Sequence, residues 1–171
     1  MGVSGFTRPV QLDGDMALHG FISGQEFVDG WFARRARHAK ARRSAVVYVS
    51  HRAGADPTTE PPAGFYTLSS ASVERDLIGG GWLKRNAPAQ VPVILLGVLG
   101  VDARYHGEEL GKMLLNDASR RAVAIADSLS AKALVVDPVD EGARAFYARF
   151  GFEPIPGMGR MFIPLARQAR R

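Results

Sequence analysis

The residue types that could do chemistry in this chain are concentrated in residues 93–115, VILLGVLGVDARYHGEELGKMLL. An apolar stretch, Val93 to Val101, runs into a short polar turn and then into a helical pattern opening at Glu108 to Gly111. A strand delivered into a helix by a tight turn leaves the first N–H groups of the helix unpaired and aimed at one point. Those donors and the positive end of the helix dipole together hold phosphate. Gly107 and Gly111 suit a turn pressed against a ligand, where a Cβ would intrude. The run therefore reads as a pyrophosphate cradle.

Two other groups could act. Tyr147 lies in Phe146-Tyr147-Ala148-Arg149-Phe150, and taken alone an aromatic on an amphipathic helix only packs. Arg34, Arg35, Arg37, Lys40, Arg42 and Arg43 fall within ten residues without one acid. A merely structural helix dilutes such repulsion with glutamate. The cluster is thus read as a phosphate-binding surface rather than a solvated face, widened by Lys84 and Arg85. The four histidines (His19, His38, His51, His106) show no metal-ligand spacing, and cysteine is absent, so neither a metal site nor a disulfide is expected.

The elements that must position these groups follow from pattern. Phe6 to Leu12 reads as an edge strand, because Pro9 cannot sit in a sheet centre. Ser23 is expected to cap a helix over residues 24–42, whose apolar face is Phe27, Val28, Trp31 and Phe32. Short strands are expected at Ala45 to Ser50 and Gly64 to Ala71, with one helical turn at Ser72 to Ile78. After the cradle, Leu110, Leu114, Ala118, Ala122, Ile125 and Leu129 mark the buried stripe of a helix ending near Ser128. Ala133 to Val136 is a buried strand. Asp140 opens a helix that Gly151 stops, and Arg160 to Leu165 closes the sheet. The order suits a single domain, 1–171, built as a mixed α/β sheet covered by helices.

Arg104-x-x-Gly107-x-Glu109, followed by Leu110-Gly111, resembles the acetyl-CoA loop of GNAT N-acetyltransferases, Q/R-x-x-G-x-G/A. The runs FVDGWFARRARHAKARRSAVVYVS, GFYTLSSASV, WLKRNAPAQVPVILLGVLGVD and AFYARFGFEPIP carry the resemblance over nearly the whole chain, towards TacT-type toxins of bacterial toxin–antitoxin pairs. The resemblance implies a GNAT fold, with a central mixed sheet splayed at the cofactor site, and acetyl-CoA as donor. The cofactor would lie against Leu99, Gly100 and Val101, the loop Arg104, His106, Gly107, Glu108, Glu109, Leu110, Gly111 and Lys112, and Phe146. Tyr147 would be the general acid for the leaving thiolate. The substrate would be the α-amine of aminoacyl-tRNA, held by the basic cluster, and its acetylation would block translation. A free α-amine has a pKa of about 7.7–8.0, so no strong base is required. A homodimer and a neutralising ribbon-helix-helix antitoxin are also implied.

Three positions depart from the family pattern. Glu109 stands where glycine or alanine is expected, and its charge beside pyrophosphate is expected to weaken cofactor binding. At roughly 5 Å and an effective dielectric of 20, a like-charge pair costs on the order of 3 kcal/mol. Val98 and Gly100 replace the Arg and Ala of the strand pattern LGRLAVD. Two alternative functions are a GNAT acting on a small-molecule or protein amine, and a non-catalytic CoA- or RNA-binding module.

Composition is consistent with these readings. With 46% apolar and 23% charged residues, the 171-residue chain is an ordinary globular protein. No apolar run is long enough for a membrane span, and the first residues are too polar for a signal peptide, so a cytoplasmic protein is expected. The formal charge of +5 favours an acidic partner, either nucleic acid or a phosphorylated ligand.

Overall fold

The computed structural model describes residues 5–78 and 88–165 of the chain. Lys84 and Arg85 of the expected basic surface lie outside the described residues. The elements are β1 (Val10–Gln11), α1 (Glu26–Arg35), β2 (Val46–Ser50), β3 (Gly64–Glu74), α2 (Arg75–Ile78), β4 (Gln90–Val101), α3 (Leu110–Leu129), β5 (Ala133–Val136), α4 (Glu141–Arg149), β6 (Glu153–Pro154) and β7 (Met161–Pro164). The strands form one mixed sheet in the order β1-β2-β3-β4-β5-β7-β6. Chain contacts group into two compact units, Met1–Leu68 with Val98–Ala118, and Ser69–Gly97 with Ser119–Arg171.

In the first unit, β2 is antiparallel to both β1 and β3, with Tyr48 opposite Tyr66. Its core joins Phe21, Val28, Phe32, Val47, Val49, Phe65 and Val98. Burying an aromatic or aliphatic side chain of this kind contributes about 1.5–3 kcal/mol. Only half of the apolar face expected on α1 is used: Val28 and Phe32 are buried, Trp31 is half-buried, and Phe27 is 62% exposed. The expected long helix also breaks, passing at Ala36–His38 into a tighter 3₁₀ turn. Ser23 does not cap α1 directly, since Gln25 holds the N-cap position. Instead the Ser23 hydroxyl accepts the Gln25 N–H and donates to Asp29, whose carboxylate also accepts the N–H groups of Ser23 and Gly24.

In the second unit, β5 is antiparallel to β7 along its whole length, and β7 pairs with β6. Strand β4 pairs in parallel with β5 only from Ile94 opposite Leu134 to Leu96 opposite Val136. Beyond Leu96, β4 runs on to Val101 while β5 has ended, which is the splaying expected of the sheet. Val73, Val91, Val93, Ala133, Val135, Ile155 and Phe162 form the core here. The last turns of α3 depart from the expected stripe: Ala126 is buried, whereas Ile125 is 39% and Leu129 47% exposed.

Candidate active site

The distal end of β4 alternates in burial. Val98 and Gly100 face inward, and Leu99 and Val101 are half-buried on the other face. Gly100 is glycine for a packing reason. A Cβ there would meet Val28 Cγ1 at 2.6 Å and Phe65 Cε1 at 3.0 Å. Val98 belongs to the same apolar cluster. The two departures on this strand therefore both face the core, and only the backbone of Gly100 is left for a ligand.

The strand then turns sharply. Asp102 is 2% exposed and opens a 3₁₀ turn at Ala103–Tyr105, with its carboxylate accepting the Arg104 N–H at 3.0 Å. The His106 ring nitrogen lies 2.9 Å from the Val101 carbonyl, which folds the loop back on the strand it leaves. Gly107 has φ +84°, in the left-handed region, and a Cβ on it would meet nothing within 4 Å. Glu109 has φ +67°, a conformation that disfavours any L side chain, which gives glycine a backbone advantage at this position. Its side chain is 69% exposed and 3.9 Å from Lys112.

Helix α3 starts at Leu110, within the expected range. Leu110 and Leu114 are buried, and α3 approaches β3 so closely that a Cβ on Gly64 would meet Leu114 Cδ1 at 2.9 Å. The Tyr66 hydroxyl donates to Asp117 and ties the same two elements. Leu110 thus has only its amide to offer a ligand. The amides of Leu110, Gly111 and Lys112, which begin the helix, have no carbonyl one turn behind them. A left-handed glycine facing open space, followed by these amides, fits a diphosphate.

Tyr147 lies on α4, which Asp140 caps by accepting the Ala143 N–H at 2.8 Å and Gly151 ends at φ +93°, as the sequence predicted. The tyrosine is 5% exposed and packs against Phe146 and Phe152, with ring centroids 5.4 and 5.6 Å away. Burial, and secondarily the charge of Asp137, raise its phenol well above the usual range. Asp137 is itself paired with Arg160 at 2.9 Å. At neutral pH the Tyr147 hydroxyl therefore keeps its proton.

The basic cluster divides. Arg37 donates to the carbonyls of Gly14 and Met16 at 3.0 and 2.9 Å, and Lys40 donates to Gln11 Oε1 at 2.9 Å. Both tether the loop before α1. They also line a surface cavity of about 410 Å³ with Gln11, Leu12, Val46 and Val47. Arg34, folded back over Gly30, and Arg35, Arg42 and Arg43 are exposed. Arg43 has φ +54° in the turn that follows, where Ser44 N–H reaches the Ala39 carbonyl. Among the described residues no group of three acids or histidines could hold a metal, and no helix is long and apolar enough to cross a membrane.

The acetyltransferase (GNAT) family model matches residues 30–152. A tRNA-acetylating toxin of Mycobacterium tuberculosis (strain ATCC 25618 / H37Rv) is 34% identical over 168 residues, covering 98% of this chain and 97% of that protein. The structure of AtaT complexed with acetyl-methionyl-tRNAfMet superposes with a TM-score of 0.85 at 22% identity, covering 96% of this chain and 98% of the other. AtaT bound to the C-terminus of the antitoxin AtaR gives 0.80 at 21% identity, with 98% of each chain covered. Those two likenesses show the shared fold, a mixed open sheet with helices. The family match over most of the chain shows the chemistry class, transfer of an acetyl group from acetyl-CoA. On these grounds the chain belongs to the GNAT acetyltransferase family.

Proposed function

We propose that this acetyltransferase modifies the α-amine of aminoacyl-tRNA and thereby blocks translation, as a toxin held in check by an antitoxin. The observation that carries the reading is the exposure of Arg34, Arg35, Arg42 and Arg43, which offers cations to a polyphosphate acceptor. The full-length likeness to a tRNA-acetylating toxin supports it. Homodimerisation, a ribbon-helix-helix antitoxin and a cytoplasmic location belong to the same reading.

Acetyl-CoA supplies the acetyl group as a thioester. In this proposal the backbone of Leu99 to Val101 orients that group, and the loop from Arg104 to Lys112 binds the diphosphate through main-chain amides and the Arg104 guanidinium. Phe146 packs beside the cofactor. The neutral amine would take the acetyl group, the proton held on Tyr147 Oη would pass to the leaving sulfur, and the proton lost by the amine nitrogen would restore Tyr147 directly or through water. No side chain need take a proton from the amine before attack, because a useful fraction of it is already neutral.

Incubation with labelled acetyl-CoA and bulk aminoacyl-tRNA should place label on the RNA. Label appearing only on added small amines or proteins would refute the acceptor assignment. No transfer to any amine would favour a non-catalytic module.

Glu109 lowers cofactor affinity in this proposal, through its charge and through the left-handed backbone it must adopt. Glu109→Gly should bind acetyl-CoA more tightly in calorimetry and melt higher, by about 1 kcal/mol of stability. Equal affinity in both forms would remove the idea.

A further inference from the structure

The functional reading makes no use of Asp102, yet this is a buried carboxylate with both oxygens engaged. It is 2% exposed at the point where β4 becomes the cradle loop. One oxygen, Oδ1, accepts the Arg104 N–H at 3.0 Å and the Arg104 Nε–H at 2.9 Å. The other, Oδ2, accepts the Ile22 N–H at 3.1 Å, from 80 residues away in the chain. Its own amide donates to the Ala63 carbonyl at 2.8 Å, and the Ala103 amide donates to the Ile22 carbonyl at 2.8 Å.

A buried carboxylate is expensive to desolvate, and this one offsets the cost with two backbone N–H donors and the Nε–H of a guanidinium. These hydrogen bonds hold its carboxyl below the ordinary aspartate range despite burial. Two consequences follow. The Arg104 side chain is held at Nε, with its guanidinium carbon 5.0 Å from the centre of the Tyr105 ring, and remains 47% exposed. The segment before α1 is pinned at both the amide and the carbonyl of Ile22, whose side chain is 60% exposed beside the same turn.

We propose that Asp102 is a positioning residue for acetyl-CoA binding: by accepting the Arg104 Nε–H and anchoring the loop to the backbone at Ile22, it presents Arg104 to the diphosphate. The inference rests on the proposed acetyl-CoA reading and goes beyond it by assigning the geometry of the loop to one buried carboxylate.

Asp102→Asn keeps the shape but puts an amide where one set of N–H donors must be accepted. Its acetyl-CoA Kd should rise about tenfold, the effect of one charge-assisted hydrogen bond, while the acceptor KM and kcat stay within about twofold. Arg104→Ala should raise the acetyl-CoA Kd by a similar factor and leave the acceptor KM unchanged. The double variant should bind acetyl-CoA no worse than Arg104→Ala alone. A purely structural role for Asp102 would lower the melting temperature and the active fraction without moving the acetyl-CoA Kd, and that result overturns the proposal. If Asp102→Asn does not fold, Arg104→Lys keeps Asp102 and the charge but lacks the fork. Acetyl-CoA affinity unchanged in that variant overturns the proposal equally. Wild-type protein that binds no acetyl-CoA overturns the functional reading as well, whereas normal wild-type binding with unchanged variants sinks this proposal alone.

Discussion

Tyr147 is a core side chain to which the proposed mechanism also gives a chemical part. Its ring packs among Phe146 and Phe152, as any aromatic on that helix face would. The same packing excludes water and raises the phenol, so the hydroxyl is a proton store across the neutral range. Tyr147→Phe removes the proton and keeps the ring. It should lower kcat by about 10²- to 10⁴-fold with acetyl-CoA affinity unchanged, as measured by steady-state transfer and calorimetry. Turnover unchanged in the variant would clear the hydroxyl of any catalytic part. At this scale the sequence was informative about Tyr147 and Gly107, whose roles depend on near neighbours. It was silent about Asp102, whose partner Ile22 is brought in only by folding.

Among the elements, the end of the basic segment separates stability from binding. The sequence suggests a continuous helix to Arg42, but the chain tightens at Ala36–His38 and turns at Arg43 with φ +54°. Glycine is the residue most at ease in that conformation. Arg43→Gly should therefore stabilise the fold by about 1 kcal/mol in thermal melts. At the same time it should weaken tRNA binding and make the slope of log K against log salt shallower by about 1. Loss of stability, or an unchanged salt slope, would contradict this division of labour. Arg37 and Lys40 belong to the other class, because their donors are spent on the loop at residues 11–16. Residue type alone could not make that distinction: six cations in a row look alike until their partners are known.

For the molecule as a whole, His51 contributes to the pH dependence of stability in the mildly acidic range. It is 3% exposed, its Nε2 has no hydrogen-bond partner, and burial holds its pKa below 6.5 despite the nearby charge of Glu60. The unfolded chain takes up the proton near about 6.5. Stability from the neutral ring is therefore complete above that pH and is lost as pH falls through the lower, folded value. The melting temperature should fall between about pH 7 and pH 5, and His51→Phe, which packs a ring but binds no proton, should flatten that limb. A variant as acid-sensitive as the wild type would exclude His51 as the cause. By itself the sequence determined the strand–turn–helix of the cradle, α4 from Asp140 to Gly151 and the short buried strands. Caps, left-handed glycines and apolar periodicity act within a few residues and are legible in order. Only the tertiary structure decided that β4 outruns β5 and that Gly100 yields its side-chain space to Val28. It also decided which cations are spent on the fold and that a single aspartate ties two distant segments. Each of these depends on atoms far apart in the chain, whose meeting local propensity does not encode.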